Sequence, residues 1–412
     1  MTNPPIIKAA RIEQSADLAP INFTSLRQKC SCKNKCKPDV SFGIADIKYN
    51  DGSLKILEFG EGTMSKFEGF DSIYGTGAML SRIYEFCAQE CRQLFVVDYH
   101  LEFPNKQTAA GYPTLLKKHA VVHYSVDDIL SVPKNNTNAE GAQLLVLQRR
   151  RASHKSIQKI NAVYPSMRIA NAAISPFVNN KQQTDKLFTK KLRDYRPYTA
   201  VIAKRDAQNQ VAAILEACPA KYFVLKPIAS SRGIGILFAH RDQLELMFKK
   251  LFSNYGLKSI VGKIKKIIDP HGTSILSKSN SVKFWQYNTD THFIIESCES
   301  SKAVIVDNKS YDATLRLSYG LIHKDGYVEA KAIGYYWKLP RLSLDTKGSF
   351  TNKKLSHIGP SNKNCAAALA PEDETAVTEL MLPILNNVYT KMILSAEKQS
   401  SAEGLHTRLS EN

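Results

Sequence analysis

The stretch YFVLKPIASSRGIGILF, Tyr222 to Phe238, ends one apolar run in a lysine, continues through small residues and glycines, and then resumes an apolar run. Short apolar runs bounded by turn residues predict strand, loop, strand. Lys226 at the end of the first strand is a point charge suited to phosphate oxygens. Ser230, Ser231, Gly233 and Gly235 would let backbone N–H groups approach such oxygens closely. Taken alone, the pattern also describes an ordinary strand-turn-strand, so the flanking sequence must decide.

Upstream, Thr184-Asp185-Lys186 opens a predicted helix, with Thr184 as a good N-cap. Downstream come a strand HFIIES, two long strands YDATLRLSYGLI and YVEAKAIGYYWKL, a polar loop over 343 to 363, and an amphipathic helix over 371 to 394. Residues 396 to 412 are polar and predict a frayed tail. Near the start, VSFGIADIKY and LKILEF flank Asn50-Asp51-Gly52, a hairpin signal. Between 80 and 180, helical and strand-like segments alternate (LSRIYEFCAQECRQ, LFVVDYH, AVVHYSV, AQLLVLQ, MRIANA), which predicts an α/β layer with parallel strands.

A chain of 412 residues at 43% hydrophobic content can bury two or three cores. No run approaches the roughly 20 apolar residues of a membrane span, and MTNPPIIKAARI lacks the pattern of a signal peptide. A soluble, cytoplasmic protein is expected. The net charge of +18 suits anionic partners. Its basic residues are scattered and lack interleaved aromatics, which argues against nucleic acid. The eight cysteines predict reduced thiols. Cys30, Cys32 and Cys36 fall one ligand short of a structural zinc site, with Cys87 and Cys91 distant in sequence. Gly262-Lys263 is followed by Ile264 where a P-loop needs a hydroxyl, and His240-Arg241-Asp242 begins an amphipathic helix and not a kinase catalytic loop.

In their order, these elements resemble the ATP-grasp superfamily. VLKP with its glycine turn resembles the strand pair that covers the phosphates, Asp185-Lys186 the element that starts the fold, and HFIIESCE the strand and hinge that hold adenine. YDATLRL resembles the following strand with its phosphate-contacting arginine, and GSFTNKKLSHIG the mobile loop of the ribosomal-protein glutamate ligase branch. The carboxylate-amine ligases of that type and of the D-alanine:D-alanine ligase type are the nearest match. The family's metal-binding hairpin normally follows the C-terminal helix, where this chain has only SAEKQSSAEGLHTRLSEN. FGIADIKYNDGSLKILEFGEG is similar to that hairpin, so the resemblance implies a circular permutation.

The resemblance implies an α/β protein with α+β subdomains. Its expected parts are a polar extension at 1–40, the hairpin at 41–79 completing the C-terminal ATP-grasp subdomain, and an α/β domain at 80–180. An N-terminal ATP-grasp subdomain at 181–300, a C-terminal one at 301–395 and a tail at 396–412 follow. ATP and Mg2+ are the implied cofactors. Lys186, Lys226, Ser230, Ser231, Gly233, Gly235, Ile295, Glu296 and Cys298 would bind nucleotide, and Arg316, Lys226 and Asn352 would act in catalysis. Asp46 and Glu58 would hold magnesium, with Glu61 or water replacing the family's asparagine, here Gly60. Without nucleotide these carboxylates are expected to repel one another, so removing them should spare stability. The implied reaction joins a carboxylate to an amine through an acyl phosphate. Tyr336, Lys338 and Arg341, with Tyr335 and Trp337 beside them, would suit an acidic amino acid or peptide. Two alternatives stay open: a kinase of a polyanionic small molecule, and an inactive nucleotide-binding interaction protein. Asp46 and Glu58 are, on the plainest view, ordinary hairpin carboxylates.

Overall fold

The computed structural model describes residues 22–31, 38–62, 67–91, 93–98, 121–123, 130, 143–148, 159–160, 162–165, 167–178, 180–228, 230, 234–252, 284–285, 288–356 and 365–410. Its strands are β1 (Ser25–Lys29), β2 (Asp39–Asn50), β3 (Ser53–Glu61), β4 (Gln93–Asp98), β5 (Val121–His123), β6 (Gln143–Gln148), β7 (Arg168–Ile169) and β8 (Thr199–Ala203). They continue with β9 (Tyr222–Pro227), β10 (Leu237–His240), β11 (His292–Ser297), β12 (Val304–Val306), β13 (Lys309–Tyr311), β14 (Thr314–Lys324), β15 (Tyr327–Lys338) and β16 (Ala366–Ala367). The main helices are α1 (Glu68–Tyr74), α2 (Ala78–Gln89), α3 (Ser175–Val178), α4 (Lys181–Leu187), α5 (Val211–Ala217), α6 (Leu244–Phe252), α7 (Phe350–Lys354) and α8 (Pro371–Ser410).

Asp51 and Gly52 have φ of 33° and 85°, the left-handed pair of a two-residue hairpin turn, so β2 leads directly into β3. The large sheet has the order β1-β15-β14-β2-β3, with β16 also against β15. β14 pairs antiparallel with β2 from Leu315↔Ile47 to His323↔Asp39, so the early hairpin and the late long strands share one sheet. Strand alternation gives the sheet two faces. Ala45, Ile47, Phe59, Leu315, Leu317, Tyr335 and Trp337 pack on one face against Val377, Met381 and Leu385 of α8 and Phe177 and Leu187 of α3 and α4. On the other face, Phe42, Ile44, Ile333 and Tyr336 meet α1, α2 and the parallel strands through Phe70, Met79, Ile83, Phe86, Val96 and Val146.

Gly43 stands opposite Tyr319 where β2 and β14 close up. A Cβ at Gly43 would lie 2.6 Å from Tyr319 Oη and 2.9 Å from the Gly60 carbonyl. Gly43→Ala is therefore expected to cost roughly 1–3 kcal/mol through overpacking. Urea denaturation checks this, and an unchanged midpoint would refute the close approach.

The expected parallel layer is present: β5-β4-β6-β7 pair in parallel. A third sheet, β10-β9-β11-β8, is antiparallel. Phe223, Leu225, Phe293 and Ile295 face its core with Ile214 of α5 and Leu244, Phe248 and Phe252 of α6. Two sequence expectations are corrected. The predicted tail is helical, since α8 continues to Ser410; after Pro383 the sequence holds no proline to stop it, and Ala, Glu, Lys, Gln and Leu favour helix. The helix expected to begin at Thr184 instead begins at Lys181, capped by the Asn180 side chain accepting from the Gln182 and Gln183 N–H groups. Among the described residues no helix is long and apolar enough to cross a membrane, and the described cysteines form no disulfide. Cys32 and Cys36 lie outside the described residues.

Candidate functional site

The end of the large sheet beyond the α1 and α2 contacts carries charge on the same face. Asp46 lies opposite Arg316, which lies opposite Tyr336. Arg316 grips Asp46 with two hydrogen bonds, Nε to Oδ1 at 2.7 Å and Nη2 to Oδ2 at 2.9 Å, and Lys338 Nζ donates to the same Oδ2 at 2.8 Å. All three are nearly buried. Burial pushes the Asp46 pKa up, but Arg316 and Lys338 outweigh it and hold the carboxyl well below the usual range. Lys338 is pushed down to about 8 by burial and by the neighbouring Arg316.

A second cluster adjoins the first. Lys48, two residues along β2 from Asp46 and so on the same face, donates to Asp312 Oδ1 at 2.7 Å and to the Ala313 carbonyl at 2.9 Å. Lys354 of α7 also binds Asp312, and reaches Ser300 Oγ at 2.6 Å. Burial pushes the Asp312 pKa up, but the two lysines outweigh it and lower the carboxyl. Here Lys48, Arg316, Lys338 and Lys354 meet Asp46, Glu58 and Asp312, a cationic surplus among the described residues that suits an anionic ligand.

In the small sheet, Tyr222, Val224, Lys226, Ile294 and Glu296 alternate with the core residues and so share the opposite face. Lys226 Nζ donates to Glu296 Oε2. Glu296 Oε1 accepts from Arg196 Nη2 at 2.9 Å. Through Nη1 the same guanidinium donates to the carbonyls of Ile56 at 2.7 Å and Leu57 at 2.9 Å, in β3 of the large sheet. Its Nε faces Asp185 at 3.8 Å. The two sheets are thus joined at Arg196. α7 packs on the small sheet, where its Phe350 stacks on Tyr222 at 4.2 Å and meets Phe238 edge-on, and its Lys354 binds Asp312, two residues before β14.

β2 and β3 slip register between Asp46 and Ile47. Counting back from Asn50↔Ser53, a regular hairpin would put Leu57 opposite Asp46; the bulge sets Glu58 there instead. Glu58 therefore stands beside Asp46. Glu61 does not: it is an odd number of residues further along, on the opposite face, and accepts from Ser175 Oγ at 3.2 Å. The same alternation corrects the expected acceptor pocket. Tyr336 and Lys338 face the charged cluster, whereas Tyr335 bonds Thr378 of α8 and Trp337 packs in that helix's core. Arg341 is exposed.

Of the expected nucleotide ligands, the structure brings Lys226 and Glu296 together. Lys186 is exposed on α4, and Ser231 and Gly233 lie outside the described residues. The Ser230 carbonyl accepts from Lys181. Gly235, at φ +75°, is packed against Pro227 and Phe284, and its carbonyl accepts from Trp285 Nε1 at 2.8 Å. The hinge differs from expectation: the Ser297 and Cys298 N–H groups already donate to the Tyr198 and Tyr222 carbonyls, and the Ile295 side chain points into the core. Burial raises the Cys298 thiol to about 11. Asn352 lies within α7, its carbonyl accepting from the Leu342 N–H at 2.9 Å. Sequence reasoning missed Arg196, Lys48 and Asp312; Lys48 and Asp312 stood inside stretches already singled out, and Arg196 did not.

Among the described residues, no group of three or more His, Cys, Asp or Glu could hold a metal ion by itself. Asp46 and Glu58 stand directly opposite on one face and would offer magnesium two carboxylates, with water and substrate phosphate completing its shell, once Asp46 gives up Arg316 and Lys338, which hold both its oxygens here.

No protein-family model matches the chain, and no curated protein sequence matches it. Among solved structures it is similar to a proposed gamma-glutamylcysteine synthetase from Methylobacillus flagellatus, with a TM-score of 0.42, 12% identity, and coverage of 88% of this chain and 90% of that one. It is also similar to a D-cycloserine synthetase, with a TM-score of 0.35, 15% identity, and coverage of 73% and 81%. Both are loose likenesses of overall shape.

Proposed function

We propose that the chain is an ATP-dependent carboxylate-amine ligase of ATP-grasp type, permuted so that β2 and β3 supply the carboxylate hairpin. The observation that carries this reading is the juxtaposition of a Lys226–Glu296 pair on one antiparallel sheet with Asp46, Glu58, Arg316 and Lys338 on another, the two joined at Arg196. The triphosphate would lie between the sheets. Lys226 and Arg316 would neutralise charge on the transferring phosphoryl group, and Asp46 and Glu58 would hold magnesium, which would supply further charge neutralisation. A carboxylate oxygen attacks the γ-phosphorus, ADP leaves, and an acyl phosphate forms. An amine then attacks the acyl carbon, phosphate leaves, and the amine gives up a proton. Lys338 and Lys48 favour an acidic carboxylate substrate, because each is a buried ammonium whose present partner is an aspartate of the protein itself.

The test uses ATP, magnesium and acidic amino acids labelled with oxygen-18 in their carboxyl groups, with a panel of amines. Amide, ADP and phosphate carrying one labelled oxygen are the expected products. A stable phosphorylated product would establish the kinase reading. ATP binding without turnover of any pair would establish the inactive one.

A further inference from the structure

A phosphate can use Lys226 only if the lysine can leave Glu296. That carboxylate is 2% exposed, and a buried carboxylate stripped of its only counter-ion is strongly destabilised. Glu296, however, has two counter-ions, one on each oxygen. They differ in how they are held. Lys226 reaches Glu296 as a single ammonium on a flexible stem. Arg196 is fixed by the Ile56 and Leu57 carbonyls, by Asp185 beside its Nε, and by Phe188, whose ring lies 5.4 Å from the guanidinium carbon. It is 3% exposed, and its two bonds to β3 anchor it where it stands.

We propose that Arg196 is a positioning residue: the standing counter-ion of Glu296, whose fixed charge frees Lys226 to exchange its carboxylate for an anionic ligand such as a polyphosphate. The inference rests on the ligase reading for the identity of that ligand and on the geometry alone for the exchange. With Arg196 in place, Glu296 stays compensated when Lys226 turns away. Without it, Lys226 is the last partner of a buried charge and stays where it is. The guanidinium fork is essential, since an ammonium could not hold Glu296 and both β3 carbonyls in one plane. Through Leu57 the same group also braces the bulge that sets Glu58 opposite Asp46.

The test reads Lys226 directly in the full chain without nucleotide, by trace acetylation and peptide mass spectrometry. Arg196→Gln should slow acetylation of Lys226 at least threefold, taking a gain of roughly 0.7 kcal/mol in its hold on Glu296 as about half of a tenfold step. Glu296→Gln should speed it, and the double variant should recover the wild-type rate or exceed it, the non-additivity expected of a shared partner. Binding of inorganic tripolyphosphate should weaken about tenfold in Arg196→Gln and recover in the double variant. A purely structural role would lower stability without slowing Lys226 and would not be rescued by Glu296→Gln. An unchanged Lys226 rate in Arg196→Gln, or a double variant as slow as the single, overturns the proposal. If Arg196→Gln does not fold, Glu296→Gln decides by itself, because it leaves Arg196 on its β3 carbonyls: faster acetylation supports the exchange and an unchanged rate overturns it. If the acetylation series behaves as expected while the wild-type chain binds neither ATP nor tripolyphosphate, the ligase reading fails and the counter-ion role stands.

Discussion

Asp46→Asn is expected to lower stability by about 3–5 kcal/mol at neutral pH, the usual loss when one partner of a buried ion pair is removed. The sequence led to a different expectation, in which removing one of two repelling carboxylates would spare stability. The structure supplies the reason: Asp46 is the common anion of Arg316 and Lys338, and its loss removes the carboxylate that two buried, adjacent cations share. The pH dependence follows. The folded-state pKa of Asp46 is depressed, so its contribution is present above the ordinary carboxylate range and is lost as pH falls through the folded value. The variant should therefore show a flatter acid limb. Lys338 is already pushed down to about 8, so in the variant it sheds its proton more readily and the deficit should shrink on the alkaline side. Urea titrations from about pH 2 to about pH 10 check both limbs. A loss below about 1 kcal/mol with an unchanged profile would mean that the pair is solvated in solution, as exposed ion pairs are.

The parts of the fold that were legible in the sequence are those written in local pattern. Asp51-Gly52 fixes a hairpin, alternation fixes the long strands, and the run before Lys226 fixes β9. Some of what was misassigned was equally legible. Counting by twos from Glu58 excludes Glu61, and counting from Tyr336 excludes Tyr335 and Trp337. The rest depended on contacts between distant residues. Nothing near Arg196 in RPYTAV indicates that its partners are Glu296 and the β3 carbonyls. Nor does LKILEF announce the bulge at Leu57, without which Glu58 would face away from Asp46. A bulge is set by the whole sheet's twist and packing, and a buried guanidinium by whatever acceptors the tertiary fold leaves unpaired.

Lys226→Met separates the chemistry of this site from its architecture. The substitution keeps the apolar stem packed in β9 and removes the ammonium. Because Glu296 retains Arg196, no buried carboxylate is left uncompensated, and the cost in stability should stay at about 1.5–3 kcal/mol, the range of one hydrogen bond to a charged group. Turnover should suffer far more. A charge set against a developing oxyanion is worth roughly 10²–10³ in rate when removed, and in the proposed reaction Lys226, once released from Glu296, is the small sheet's cation for the transferring group. Asp46→Asn should thus be severe in both stability and rate, whereas Lys226→Met should be severe in rate alone. Thermal melts and amide formation measured on the same preparations distinguish the two. Retention of full turnover in Lys226→Met would remove the lysine from the reaction, and a melt as damaged as that of Asp46→Asn would mean that Arg196 does not compensate Glu296 by itself.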